Sequence, residues 1–222
     1  MLPYNNQENP VIIEPENPSG VIIWLHGLGD TGYNFYSGIF DYLLPEVRSN
    51  YRHIFPTAPI IPVTINGGIP MPAWYDILSL QDMKYEDEKG ILSAVEYVNG
   101  LIASQAKDLK CRDKIILVGF SQGGGVAIHS ALTTKYKLRR VLLCSSYVPL
   151  LDKIANLTET INKKTKMTYM HGVQDDVVTL SLMNKGYAKL EGMGFQLEKY
   201  CFHGRHQLDV QCLNENLLQD LQ

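Results

Sequence analysis

The sequence predicts an α/β fold: a mostly parallel central sheet flanked by helices. Two observations carry that expectation. Short continuous apolar runs alternate along the chain with segments of helical period, and strands joined through helices pair in parallel. Clusters of glycine and polar residues follow directly after those runs, where open α/β sheets form their ligand sites. A length of 222 residues suits one such domain, large enough to hold together without disulfides.

The elements follow in order. "VIIWL" (21–25), after the turn signal "PENPSG", reads as a buried strand, and a helix-like stretch covers about 34–44. A weaker strand lies near "HIFP" (53–56). Residues 57–80, rich in Pro and Gly, show no periodic element; a loop of that length inside a compact domain points to function. From Glu86 to about Leu109, apolar residues recur at Ile91, Ala94, Val95, Val98, Leu101, Ile102, Ala106 and Leu109, one buried stripe of a helix. The strand "KIILVGF" (114–120), a helix through "VAIHSAL" and the strand "RRVLLCSS" (139–146) come next. "KMTYMHG" (166–172) is a strand, a helix follows around 180–192, and "QLEKYCF" (196–202) is the last strand before a helical tail from about Asp209.

Composition narrows the function classes. The chain is 45% apolar and 19% charged, as an ordinary globule is. Its net charge of −3, with no run of five like charges, gives no electrostatic case for nucleic acid or an anionic membrane. The four cysteines (Cys111, Cys144, Cys201, Cys212) lie far apart, which argues against a zinc site and a disulfide framework. Three of them sit in or beside apolar runs and read as small hydrophobes. "MLPYNNQENP" has no signal-peptide pattern and no segment is apolar enough to span a membrane, so a soluble, cytoplasmic protein is expected.

The chemistry centres on "GFSQGGG" (119–125). Gly119-x-Ser121-x-Gly123 between a strand and a helix is the pattern of a nucleophile elbow, a sharp strained turn whose flanking residues have no room for a Cβ. A nucleotide-binding loop is the rival for a glycine-rich turn, but neither Gly-Lys-Ser/Thr nor G-x-G-x-x-G is present. A serine nucleophile needs a base, and the base needs an orienting carboxylate; on this topology the chain order is Ser, Asp or Glu, then His. "MHGVQDDVV" (170–178) offers Asp175 and Asp176, of which Asp175 is preferred and Asp176 is expected to cap the following helix. "FHGRHQLD" (202–209) offers His206 as the base, with His203 as its rival. His26 and His171, each in a strand-end His-Gly pair, are expected to make structural hydrogen bonds. His203, His206 and Asp209 could alternatively ligate a metal, but no second ligand cluster accompanies them. For the oxyanion, the Gln122 N–H follows the nucleophile, and the glycine-rich "LHGLGDTG" (25–32) can turn in a second donor near Leu28.

Together, "LHGLGDTG", "PTAPIIPVT", "MPAWYDI", "GFSQGG" and "HGVQDDVV" resemble the acyl-protein thioesterase and small carboxylesterase/phospholipase family of α/β-hydrolases, from about Leu25 to Asp209. The resemblance implies a single α/β-hydrolase domain over 1–222, a Ser121–Asp175–His206 triad, and Leu28 and Gln122 N–H groups as the oxyanion hole. It further implies hydrolysis of carboxylic esters or acyl thioesters of small molecules, lipids or acylated proteins, without a cofactor or metal and often in a homodimer. The 57–80 loop would cover an apolar acyl pocket lined by Ile69, Met71, Trp74 and Leu78. Two departures stand out: Gly125 where the family commonly has Ala, and Gln207 after the base where a small or acidic residue is usual. The rivals are a lysophospholipase-type activity at the same site and a catalytically silent binding module on the same fold. A secreted lipase is disfavoured by the missing signal peptide and lid.

Overall fold

The computed structural model describes residues 8–80, 83–108, 113–156 and 161–221. Seven strands form the main sheet: β1 (Val11–Ile13), β2 (Gly20–Leu25), β3 (Tyr51–Phe55), β6 (Ile115–Phe120), β7 (Arg140–Cys144), β8 (Lys166–Gly172) and β9 (Leu197–Phe202). Their order is β1-β3-β2-β6-β7-β8-β9, with β1 antiparallel to β3 and every other pair parallel. The mostly parallel sheet expected from the sequence is present. Registers such as Leu25↔Gly119, Phe120↔Cys144 and Gly172↔Phe202 bring the carboxyl ends of the strands to one rim.

Both faces of the sheet are covered, which is why the central strands read as unbroken apolar runs. Val21, Ile23 and Leu25 face one core with Ile115 and Leu117; Ile22 and Trp24 face the other with Ile116 and Val118. The first core is closed by α3 (Glu88–Gln105), α4 (Gln122–Thr133) and α5 (Leu180–Gly192), through residues such as Ile91, Val126 and Leu190. The second is closed by α1 (Gly32–Ile39), α2 (Pro45–Asn50) and α6 (Val210–Leu218), through Phe35, Val47 and Leu213. Side-chain caps start several of these helices: Thr31 accepts from Asn34 N at 3.1 Å, Asp87 from Gly90 N at 2.9 Å and Asp209 from Cys212 N at 3.0 Å.

Three elements differ from the sequence reading. Residues 57–80 are structured: β4 (Ile60–Val63) and β5 (Ile69–Pro72) pair as an antiparallel hairpin, joined by a 3₁₀ turn over Thr64–Asn66 and two glycines at positive φ. Strand β1 and helix α2 were not expected. The apolar stripe's last member, Leu109, and Cys111 lie outside the described residues. Of the other cysteines, Cys144 and Cys212 are buried as small hydrophobes, whereas Cys201 is exposed on the outermost strand. No helix among the described residues is long and apolar enough to cross a membrane.

Candidate active site

Ser121 stands between β6 and α4 at φ 52°, ψ −119°, a conformation an L-residue adopts only under constraint. Packing supplies the constraint. A Cβ on Gly119 would lie 2.5 Å from Gly123 O, and one on Gly123 would lie 2.2 Å from Leu25 O, so the chain turns through space that holds backbone alone. The Ser121 N–H donates to Cys144 O at 2.9 Å and its carbonyl accepts from the Ser146 hydroxyl at 2.7 Å, pinning the turn to the neighbouring strand. The hydroxyl is thereby held at the amino end of α4, where free N–H groups favour developing negative charge.

The loops after β8 and β9 bring up the partners. His206 places Nε2 2.8 Å from Ser121 Oγ and Nδ1 2.8 Å from Asp175 Oδ2. Asp175 is buried; its other oxygen accepts from the Val177 and Val178 N–H groups at 3.0 and 2.9 Å, which fixes the carboxylate's direction. Phe120 packs against the imidazole with ring centroids 5.0 Å apart. Gly172 lets the two loops meet: a Cβ there would stand 2.3 Å from Arg205 O and 2.4 Å from Gly204 O. His203, the rival base, is exposed three residues earlier.

Asp176 does not cap the following helix. Thr179 does, while Asp176 pairs with Arg205 at the surface, and the guanidinium holds its carboxyl below the usual range. The alternative metal set is not assembled either. His206 is engaged at both ring nitrogens, Asp209 caps α6, and no cluster of three potential ligands occurs among the described residues.

Leu28 and Gln122 both border the cavity that holds Ser121 and His206. Their surroundings show how these backbone segments are oriented. The Gln122 side chain accepts from Trp74 N at 3.0 Å and donates to Tyr75 O at 2.7 Å. The Trp74 indole donates to His26 O at 2.8 Å, and His26 Nε2 accepts from Ala58 N at 3.0 Å while Nδ1 donates to Gly27 O at 2.7 Å. A neutral His26 is required by that pattern, and burial lowers its affinity for a proton. His26 therefore has the structural role expected of it, and its network ties the Leu28 loop to the elbow.

The cavity has a volume of about 290 Å³ and a largely apolar wall, including Leu28, Ile65, Ile77, Leu80, Tyr147 and Val178. The four lining residues expected from the sequence lie elsewhere. Ile69 points to solvent from the hairpin and is 60% exposed; Leu78 is 38% exposed. Met71 accepts from Asn66 Nδ2 through its sulfur, and Trp74 is buried beneath the loop that carries Leu28. The reason is the hairpin. Its 3₁₀ turn folds back through Ile65 N–H to Ile77 O at 2.8 Å and Thr64 N–H to Asp76 at 2.7 Å. That sets Ile65 and Ile77, not Ile69 and Leu78, over the serine. The two departures also find local explanations. A methyl on Gly125 would stand 2.9 Å from Tyr75 Oη, whose hydroxyl bonds that of Tyr147. Gln207 accepts from Ser145 Oγ at 2.9 Å through its carbonyl, and the residue is exposed.

A family model described as phospholipase/carboxylesterase matches residues 7–217. The sequence is 35% identical over 213 residues to acyl-protein thioesterase 1 of Emericella nidulans, covering 90% of this chain and 89% of that protein. It is 36% identical over 185 residues to acyl-protein thioesterase 1 of Schizosaccharomyces pombe, covering 82% and 80%. The fold matches the crystal structure of Arabidopsis thaliana SOBER1 with a TM-score of 0.84 at 27% identity, covering 91% of this chain and 99% of that one.

Proposed function

The chain belongs to the phospholipase/carboxylesterase family and is an ester or thioester hydrolase of the α/β-hydrolase fold, and from that premise we propose that Ser121, His206 and Asp175 carry the reaction. The observation that supports this most is the position of His206, 2.8 Å from the serine oxygen on one side and 2.8 Å from the carboxylate on the other. Ser121 Oγ attacks the acyl carbonyl as His206 Nε2 takes its proton. Asp175 holds the imidazole and stabilises the imidazolium that forms. The carbonyl oxygen becomes an oxyanion that accepts from the N–H groups of Gln122 and Leu28. Its collapse breaks the bond to the alcohol or thiol, which leaves with the proton from His206. Water, deprotonated by His206, then attacks the acyl-serine; the carboxylic acid departs and the serine regains its proton.

A mostly apolar cavity beside the serine suits an acyl chain. The names of the relatives favour an acyl group borne by a protein as the substrate. Lysophospholipase-type cleavage is the second chemistry this site would accommodate. A cytoplasmic location and a homodimer complete the proposal, and sedimentation of the purified chain tests the latter.

Fluorophosphonate labelling tests the mechanism. The wild type and His203→Ala are expected to label, and Ser121→Ala and His206→Ala to be silent while remaining folded. Loss of either group should lower turnover by well over roughly 10³-fold. A folded wild type that never labels would favour a binding module on this fold.

A further inference from the structure

Asp175 has a second imidazole beside it. His171, near the end of β8, is fully buried, and its Nε2 lies 2.8 Å from Val178 O and 3.4 Å from Asp175 Oδ2. A carbonyl oxygen can only accept, so Nε2 carries the proton and the neutral ring presents that N–H to both oxygens, the carboxylate receiving the longer limb. Nδ1 has no partner among the described residues. Burial lowers the affinity of His171 for a second proton, so the ring stays a neutral donor.

We propose that His171 is a positioning residue for the hydrolysis: its Nε2–H holds the Asp175 carboxylate and the Val178 carbonyl together, fixing the oxygen that orients His206. The reading rests on Ser121, His206 and Asp175 as the reacting set. The geometry is specific about which oxygen is served. Asp175 Oδ1 is already occupied by the Val177 and Val178 N–H groups. Oδ2 is shared by His206 Nδ1 and His171 Nε2, so the buried carboxylate is met by two imidazoles and two backbone donors. Among the described residues, the charged groups of the same two loops, Asp176 and Arg205, pair with each other at the surface. His171 touches neither the serine nor the substrate cavity. Its effect on turnover passes through Asp175; through the Val178 carbonyl it also backs one part of the cavity wall, so KM moves little beside kcat.

Two variants separate this role from simple packing. His171→Gln can return an N–H near the Nε2 position; His171→Leu keeps the bulk and removes the donor. With p-nitrophenyl butyrate, His171→Leu is expected to lower kcat about tenfold with KM within about twofold, and His171→Gln to recover most of the loss. Equal kcat in the two folded variants would overturn the assignment. A measurement on the wild type stands even if the leucine variant does not fold. In ¹⁵N-histidine spectra, His171 should remain an Nε2–H neutral ring from pH 8 down to 5.5; an Nδ1–H tautomer, or a charged ring over that range, would refute it. Ser121→Ala run alongside tells the two readings apart. Activity retained there would overturn the triad and this role together, whereas a silent Ser121→Ala beside indistinguishable His171 variants would remove the positioning role alone.

Discussion

Gly172 is the residue whose importance is hardest to see in isolation and easiest to see in the structure. It ends β8 in ordinary sequence company, yet the absence of its Cβ lets the turn that carries His206 rest against the strand. Gly172→Ala would drive a methyl to 2.3 Å from Arg205 O, and a backbone carbonyl cannot swing aside as a side-chain tip can. The turn must move, and the 2.8 Å contact between His206 and Ser121 lengthens with it. We expect kcat/KM for a p-nitrophenyl ester to fall about 10²-fold, with a stability loss of about 1–3 kcal/mol measured by urea unfolding. Activity within twofold of wild type would show that the turn has slack the packing denies. The elbow glycines, by contrast, announce themselves in the sequence because four of them surround one serine.

Among elements, those buried on both faces or holding a long apolar stripe were legible: β2, β6, β7, β8 and α3 all appear close to their expected limits. Chain order and the strand ends narrowed the carboxylate to Asp175 or Asp176 and the histidine to His206 or His203, and the family resemblance added weight to Asp175 and His206. Short or proline-bearing pieces were not legible. Strand β1 has three residues and α2 six, too few for a period to show, although Pro45 at the first position is a helix-start signal. The hairpin was hidden by Pro62, Pro70 and Pro72, which a two-stranded ribbon tolerates at its edges; Asn66-Gly67-Gly68 was its available turn signal. The cavity lining was missed for the same reason, since it depends on which way that ribbon folds back.

The segment leading into α3 carries a prediction of its own. Glu86 accepts from Leu150 N at 2.8 Å with one oxygen, while its other oxygen is buried with no hydrogen-bond partner among the described residues, and burial pushes its carboxyl up to about 7. The folded state thus keeps a proton that the unfolded chain releases near pH 4.5. Stability from this group is complete below about pH 4.5 and is lost as the pH rises through about 7. Glu86→Gln keeps an acceptor for Leu150 and removes the titration. Allowing for the side chain's partial contact with water, it should stabilise the protein by about 1–2 kcal/mol at pH 8 and leave it unchanged at pH 4.5, read by denaturant melts. Equal stability of variant and wild type at pH 8 would refute the burial argument.

At the scale of the whole molecule, four histidines set the opposite trend. His26, His53, His129 and His171 are fully buried, and burial lowers the proton affinity of each, that of His53 to about 4. Each takes up a proton when exposed below pH 6.5, so their contribution is intact above that pH and is lost as the pH falls toward the folded values. One such group gives a slope of about 1.4 kcal/mol per pH unit, and four acting together give up to roughly 5. Steep acid unfolding between pH 6 and 4 is expected, with several protons taken up per molecule; a stability curve flat over that range would contradict it. The arrangement of the sheet has a temporal consequence as well. Ser121 and His206, its proposed base, are 85 residues apart in the chain, and His206 follows β9, the last strand of the sheet to be synthesised. On the proposed mechanism, a nascent chain can bend the elbow and bury much of both cores while its hydroxyl is still inert, because His206, which would receive the proton, has not yet been made. Reactivity is switched on by completion: labelling of Ser121 on a growing chain would report the moment the outermost strand docks.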